Sequence, residues 1–158
     1  MFYVGGDASI LKRAEPALLQ IGHKIFHFGP VGAAADAKLI MNMMLANLME
    51  AMAEGFLYAR KAGLDMKTFV DAYKMNAGYS ALADMKVPKL LAEDFAPHFS
   101  LKHMNKDVRL ATARAAELKV PTPLTARLQD IFADAMAAGL ADEDFSALYR
   151  LISASVKH

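Results

Sequence analysis

The chain of 158 residues contains no cysteine, which excludes disulfide bonds, thiolate nucleophiles and cysteine-ligated metals. This composition suits a reducing compartment, and we expect a cytoplasmic location. A strong charge of either sign is also lacking, because the formal net charge is +1 at pH 7. Nucleic acid and anionic membrane surfaces are therefore not expected partners. The histidines show no metal-ligand spacing, so no metal site is predicted.

Long uninterrupted apolar runs are absent as well. The most apolar stretch, residues 39–53, contains Asn42, Asn47 and Glu50 and is shorter than the ~20 residues that a membrane-spanning helix requires. Hydrophobic residues nevertheless make up 55 % of the chain. This fraction is high for a soluble monomer, so we expect an apolar surface that is reserved for a partner.

The stretch from Gly29 to Gly63 dominates the secondary structure that the sequence predicts. It opens with small residues and closes on a glycine, the residue that most often follows a helix C-terminus. The stretch predicts one helix of about 30 residues, which corresponds to ~45 Å. Such a helix is far longer than the usual three turns.

The first 28 residues predict a different kind of structure. An apolar run at Phe2–Val4 and an alternating run at Lys24–Phe28 indicate two short strands, and Asp7 or Ser9 can cap a helix between them. An isolated parallel pair of such short strands is not a stable sheet. Residues 1–28 are therefore predicted to be the end of a larger structural unit.

The remaining sequence predicts helices only, joined by short loops. Pro88 lies within one of them and favours an irregular or bent course there. The predicted segments are residues 65–76, 80–91, 100–118, 122–138 and 142–152. The coarse prediction is thus an all-α domain preceded by a β-α-β unit.

Lys38 is the first candidate for chemistry. Asn42 lies four residues later and therefore on the same helix face, whereas the acid Asp36 is two residues away and points elsewhere. Burial of a lysine that has no local counter-ion disfavours the charged form of the side chain, which suits a proton donor. Spacing alone favours a simpler interpretation, a lysine whose ammonium extends to water from the start of a helix.

A second candidate is the segment FSLKHMNKD, residues 99–107. Lys102, Lys106 and Arg109 fall on one face of the predicted helix. Such a face can bind phosphate or carboxylate, although spacing alone favours a solvated basic stripe.

At these residues the chain resembles the β-hydroxyacid dehydrogenase family. The segment GPVGAAADAKLIMN is similar to the family pattern G-x-x-G-x-G-x-x-x-K-x-x-x-N, and Gly29, Gly32, Lys38 and Asn42 match it. Ala34 stands where the family usually has its third glycine. The resemblance extends over essentially the whole chain through the segments VGGD (4–7), AEG (53–55), FSLKHMNKD (99–107) and DEDFSAL (142–148).

The resemblance implies a mainly α fold, a 6-phosphogluconate dehydrogenase C-terminal-like helical domain with a long central helix. Residues 1–28 would be the tail of a truncated N-terminal Rossmann domain, and residues 29–158 an all-α domain for substrate binding and dimerisation. The GxGxxG loop with which the family holds its dinucleotide is absent from this sequence. The cofactor, NADP or NAD, is therefore expected to bind mainly outside this chain.

The resemblance also implies roles for particular residues. Lys38 corresponds to the catalytic acid/base, and Asn42 to a residue that binds the substrate near the reacting oxygen. Phe99 and Asp107 match residues on the substrate side, and Lys106 matches a lysine that contacts the cofactor.

The sequence is compatible with two functions. The first is one domain of an oxidoreductase that interconverts a small β-hydroxyacid and its semialdehyde, or that reduces glyoxylate or succinic semialdehyde. Its partners would be a small carboxylate substrate and further copies of the chain, in a homo-oligomer formed through the helical domain. The second is a helical oligomerisation module without activity of its own.

Overall fold

The computed structural model describes residues 1–156, in which a small parallel sheet precedes a body of helices. The predicted mainly α fold with a leading β-α-β unit is confirmed. In chain order the elements are β1 (Phe2–Val4), α1 (Ala8–Ile21), β2 (Ile25–His27), α2 (Ala33–Lys61), α3 (Met66–Lys74), α4 (Ala81–Ala92), α5 (Leu101–Glu117), α6 (Pro123–Ala137), a 3₁₀ turn (Phe145–Ala147) and α7 (Leu148–Ala154).

The β-α-β unit forms for local reasons that the sequence shows. Asp7 caps α1, because its carboxylate accepts hydrogen bonds from the backbone N–H groups of Ser9 and Ile10. β1 and β2 pair in parallel with Tyr3 opposite Phe26. α1 buries none of its residues among the described part of the chain. The unit therefore contributes little to the hydrophobic core.

The long helix α2 begins and ends at glycines with positive φ. Gly32, at φ 97°, precedes its first turn, and Gly63, at φ 72°, follows its last. At the C-terminus the N–H of Gly63 bonds to the carbonyl of Arg60, and the N–H of Leu64 bonds to that of Ala59, both at 3.1 Å. This is a Schellman motif, which needs a left-handed residue at the glycine position. The predicted single helix is confirmed, with 29 residues.

The hydrophobic core surrounds the second half of α2. Its buried positions recur every three or four residues and face α4, α5, α6 and α7. The largest buried apolar side chains are Met49, Phe56, Leu90, Leu101, Met104, Leu128, Phe132 and Leu148. The first turns of α2 lie outside this core and are only half-buried, so polar side chains there remain accessible.

Two details differ from the sequence prediction. α4 runs without interruption through Pro88, because Val87 and Leu90 beside it pack into the core and hold the helix in place. The last predicted helix starts too early, since residues 142–144 form a loop. Asp144 instead caps the 3₁₀ turn through the N–H of Ser146, and α7 begins only at Leu148.

No helix within residues 1–156 is both long and apolar enough to cross a membrane. In the same part of the chain, histidine, aspartate and glutamate side chains form no group of three or more that is placed to hold a metal ion.

Candidate active site

The candidate active site lies where the first turns of α2 cross α5. Lys38 and Asn42 are one helical turn apart on α2, and Asp107 projects from α5 between them. Asp107 Oδ2 accepts hydrogen bonds from Lys38 Nζ and from Asn42 Nδ2, the latter at 2.6 Å. The structure thus brings together three of the residues that the resemblance singles out. In the sequence, Asn42 and Lys38 lie 65 and 69 residues before Asp107.

Exposure differs sharply within this cluster. The side chain of Asp107 is 1 % exposed, whereas that of Lys38 is 45 % exposed. Lys38 and Asn42 line one concave surface together with Tyr3 and Met41. The buried carboxylate of Asp107 therefore positions the other two side chains. The Lys38 ammonium and the Asn42 amide are the groups that a ligand would contact.

The hydrogen bonds keep Asp107 ionised in spite of its burial. Burial alone would raise the pKa of Asp107, but its contacts with Lys38, Asn42 and Lys106 outweigh this effect, and the pKa lies below its usual value. An ionised carboxylate accepts hydrogen bonds only. The Asn42 amide must therefore present its NH₂ group to Asp107, which fixes the orientation of that side chain.

The interpretation of Lys38 as a lysine without a counter-ion is wrong. Helix spacing showed no acid on its own face, and Asp36 does point elsewhere, toward Arg114. The counter-ion comes from α5, through the tertiary contact with Asp107. Local spacing within α2 could not have revealed it.

Lys106 lies at the edge of the same cluster. Its Nζ is 3.1 Å from Asp107 Oδ1, at ion-pair distance but outside hydrogen-bond geometry. Lys106 and Arg109 line a second concave surface, formed by α5 and α6. Of the predicted basic face, Lys102 is engaged in an exposed ion pair with Asp142 at 2.6 Å.

Phe99 is placed beside Asn42 but not in the hydrogen-bonded cluster. Both residues line a cavity of about 300 Å³ between α2, α4 and the loop that precedes α5. The structure therefore brings Phe99 to the same region as Lys38, Asn42 and Asp107, with Asn42 as the shared wall.

Lys86 and Asp144 form a buried ion pair that the sequence reasoning missed. Their side chains are 3 % and 0 % exposed, and Lys86 Nζ lies 2.6 Å from Asp144 Oδ1. The other oxygen of Asp144 accepts hydrogen bonds from the backbone N–H groups of His98 and Phe99, at 3.0 and 3.2 Å. Asp144 thereby holds the loop that carries Phe99.

One signal in the sequence could have revealed this carboxylate. In the segment DEDFSAL the third acid is followed two residues later by a serine, the spacing at which an aspartate caps its own turn. Burial opposes ionisation of Asp144, yet the bonds from Lys86 and Ser146 prevail, and the pKa is lower than usual.

The comparisons with known proteins agree with this fold. The family model for the NAD-binding domain of NADP-dependent 3-hydroxyisobutyrate dehydrogenase matches residues 32–152. The chain belongs to this 3-hydroxyisobutyrate dehydrogenase family. The predicted family is confirmed, and so, at the level of the family, is a nicotinamide dinucleotide cofactor.

Three individual proteins illustrate the relationship. The chain is 34 % identical over 155 residues to chloroplastic glyoxylate/succinic semialdehyde reductase 2 of Arabidopsis thaliana, covering 98 % of the chain and 43 % of that protein. It is 35 % identical over 150 residues to glyoxylate/succinic semialdehyde reductase 1 of the same plant, covering 95 % and 52 %. The structure of Mycobacterium tuberculosis 3-hydroxyisobutyrate dehydrogenase with L-serine superimposes with a TM-score of 0.85 at 36 % identity, over 94 % of this chain and 53 % of that one. The chain thus spans about half the length of these relatives.

Proposed function

We propose that this chain is the helical, substrate-side half of a NAD(P)-dependent oxidoreductase. The reaction interconverts a small β-hydroxyacid and its semialdehyde, or reduces glyoxylate or succinic semialdehyde. The observation that supports the proposal most directly is the half-exposed Lys38, bonded to the buried carboxylate of Asp107 beside Asn42. Two curated relatives from Arabidopsis thaliana, named as reductases of glyoxylate and succinic semialdehyde, support the substrate class.

Lys38 acts as the general acid/base. An ammonium has three N–H donors, and Asp107 engages one of them, so two remain for a ligand. In the direction of reduction, Lys38 donates a proton to the carbonyl oxygen as negative charge develops there. In the direction of oxidation, the neutral amine removes the proton of the hydroxyl group.

Asp107 and Asn42 position the reacting groups. Asp107 holds Nζ of Lys38 in one place, which lowers the entropic cost of reaching the reactive arrangement. The Asn42 amide, held through its NH₂ group, keeps its oxygen and one N–H for a substrate hydroxyl or carbonyl. The predicted contact of Phe99 with substrate is consistent with its place in the adjoining cavity.

The cofactor fits the basic side of α5. Lys106 and Arg109 supply cations on one concave surface next to the cluster, a donor set suited to phosphate or carboxamide oxygens. When bound, the nicotinamide would supply or accept the hydride. We assign Lys106 to this contact and propose that a dinucleotide-binding domain, of which residues 1–28 are the tail, provides most of the remaining contacts.

Replacement of Lys38 tests the proposal. In the two-domain protein, in which this chain is joined to its dinucleotide-binding domain, Lys38→Met should lower kcat by about 10²- to 10⁴-fold, the usual contribution of a general acid/base. Lys67→Met is the matched control, because Lys67 is exposed and pairs with Asp71 on its own helix. NADPH oxidation is followed with glyoxylate, succinic semialdehyde and methylmalonate semialdehyde as substrates. An unchanged kcat in a folded Lys38→Met protein would contradict the assignment.

A second function is favoured by the exposed apolar residues of α2. Ile40 and Met44, one turn apart, are 53 % and 62 % exposed. A helical module whose role is association would present such a surface. The two functions are compatible, since the first concerns the two-domain protein and the second this chain alone.

A further inference from the structure

Beyond the contact proposed for Phe99, the cavity next to Asn42 has no assigned role. Its wall is formed by side chains from α2, α4, the loop before α5 and α5 itself: Asn42, Leu45, Leu82, Met85, Phe99 and Met104. Asn42 and Leu45 also line the concave surface that contains Lys38. A small molecule that touches Lys38 and Asn42 with one end can therefore extend its other end into this cavity.

Besides Asn42 and its apolar residues, the lining contains two basic side chains, Lys86 and His98, and the buried one of them, Lys86, already has a counter-ion. Lys86 Nζ donates to Asp144 at 2.6 Å and lies 4.4 Å from the centre of the Phe145 ring. His98 is exposed, and its backbone N–H is used by Asp144. An anionic group that entered the cavity would lose its hydration without gaining a free counter-ion, which is unfavourable.

We propose that this cavity is the subsite for an alkyl tail of the substrate. The proposal rests on the proposed function and narrows it: the preferred substrate is a semialdehyde or β-hydroxyacid with an alkyl branch or chain at the end that enters the cavity. A substrate that would place a carboxylate there, as succinic semialdehyde would with its aldehyde group at Lys38, is disfavoured.

A binding experiment on the 158-residue chain tests this without any catalytic step. The methionine methyl groups are labelled with ¹³C, and n-butyrate and succinate are titrated at about pH 8, where an ordinary histidine is neutral. The two acids have equal numbers of carbons and differ in whether the far end is a methyl group or a carboxylate. n-Butyrate should shift the Met85 and Met104 signals saturably, at a Kd about tenfold or more below that of succinate. Met75, 88 % exposed at the end of α3, should not shift.

A charge introduced at the rim of the cavity should reverse the preference. Met85 is 53 % exposed, so Met85→Lys leaves the core intact and adds a cation near the tail. Succinate should then bind at least as tightly as n-butyrate, with Met104 as the reporter, whereas Met75→Lys should leave the preference as it is.

Three results would overturn the inference. They are equal or tighter binding of succinate to the unmodified chain, shifts confined to methionines outside the cavity, and no shift of Met85 or Met104 at about 100 mM n-butyrate, a concentration that detects even weak fragments. Because the readout needs neither cofactor nor proton transfer, it is independent of the Lys38→Met result. If n-butyrate binds as expected but the two-domain protein keeps its turnover after Lys38→Met, the subsite proposal stands and the acid/base assignment is wrong.

Discussion

At the residue scale, Asp107 ties two helices together through a single carboxylate. It accepts from Lys38 and Asn42 of α2 while belonging to α5. Because the pKa of Asp107 is lower than its usual value, its contribution to stability is fully present above that usual value and is lost as the pH falls through the folded pKa. The Asp107 carboxylate is therefore ionised, and its bonds to Lys38 and Asn42 are intact, at neutral pH.

The surroundings of Glu50 raise the pKa of its carboxyl group, whereas those of Asp107 lower it. It lies in the middle of α2, is buried, and neither of its carboxylate oxygens has a hydrogen-bond partner among residues 1–156. Burial, with a smaller contribution from the like charge of Glu54, raises the pKa of Glu50 to about 7. An unpaired carboxylate in this position destabilises the fold once it is ionised.

This arrangement predicts a stability that falls as the pH rises. Between the unfolded pKa of 4.5 and the folded pKa of about 7, the folded state binds more protons than the unfolded state, so the free energy of unfolding decreases with pH. The contribution of Glu50 to this decrease between about pH 5.5 and pH 8.5 is on the order of 2 kcal/mol. Urea unfolding of Glu50→Gln should show a correspondingly smaller decrease.

Glu15→Gln provides the control, because Glu15 is exposed on α1 and its replacement should leave the pH dependence unchanged. If Glu50→Gln and the unmodified chain lost the same free energy of unfolding over this pH range, Glu50 would not be the buried titrating group.

At the scale of elements, the Lys86–Asp144 pair connects three parts of the helical domain. Lys86 belongs to α4, Asp144 begins the 3₁₀ turn before α7, and the backbone groups that Asp144 accepts from lie in the loop before α5. A backbone bridge between Ser100 and Asp144 reinforces the connection. The position of Phe99 beside Asn42 thus depends on a carboxylate far away in the sequence.

Asp144→Asn should therefore be strongly destabilising. The substitution leaves the Lys86 ammonium buried without a counter-ion, which typically costs about 3 kcal/mol or more. Chemical unfolding at neutral pH measures the loss. Asp142→Asn, two residues earlier, is the matched control, because Asp142 and its partner Lys102 are exposed and such pairs contribute little. Equal effects of the two substitutions would show that the buried pair does not hold this loop.

At the scale of the whole molecule, apolar surface remains uncovered on several elements. Ile10 and Ile21 of α1 are exposed at 63 % and 82 %, and the Ile40–Met44 side of α2 is exposed as well. Exposed apolar residues in such number are typical of a surface that contacts another chain or domain. Homo-oligomer formation and a cytoplasmic location both stay predictions.

Light scattering of the purified chain tests the association. We expect a mass of at least two copies, because the exposed side of α2 can bury its apolar residues against a second copy. Met44→Glu should lower the measured mass to that of one copy by placing a charge in that contact. Met75→Glu, at a still more exposed methionine just after α3, should not. A monomeric unmodified chain at about 100 µM, a concentration at which even micromolar interfaces form, would contradict the expectation.

Much of the fold follows from the sequence alone, because its signals are local. Asp7 caps α1 as predicted, Asp65 and Ser80, where the predicted segments 65–76 and 80–91 begin, cap α3 and α4, and Gly63 terminates α2. Caps and glycine turns depend on atoms within a few residues, so they can be read directly from neighbouring positions. The family resemblance likewise rested on the spacing of Gly29, Gly32, Lys38 and Asn42.

The tertiary structure alone decided how the candidate site is charged. Lys38 has a counter-ion because α5 crosses α2 and brings in Asp107, and Phe99 is held because Asp144 reaches back across about 45 residues of sequence. Both are contacts between elements, and the periodicity of a helix specifies which face a residue occupies but not which side chain from another helix lies opposite. The sequence by itself determined the elements, the family and the lysine; helix packing determined the buried carboxylates that position that lysine and its surroundings.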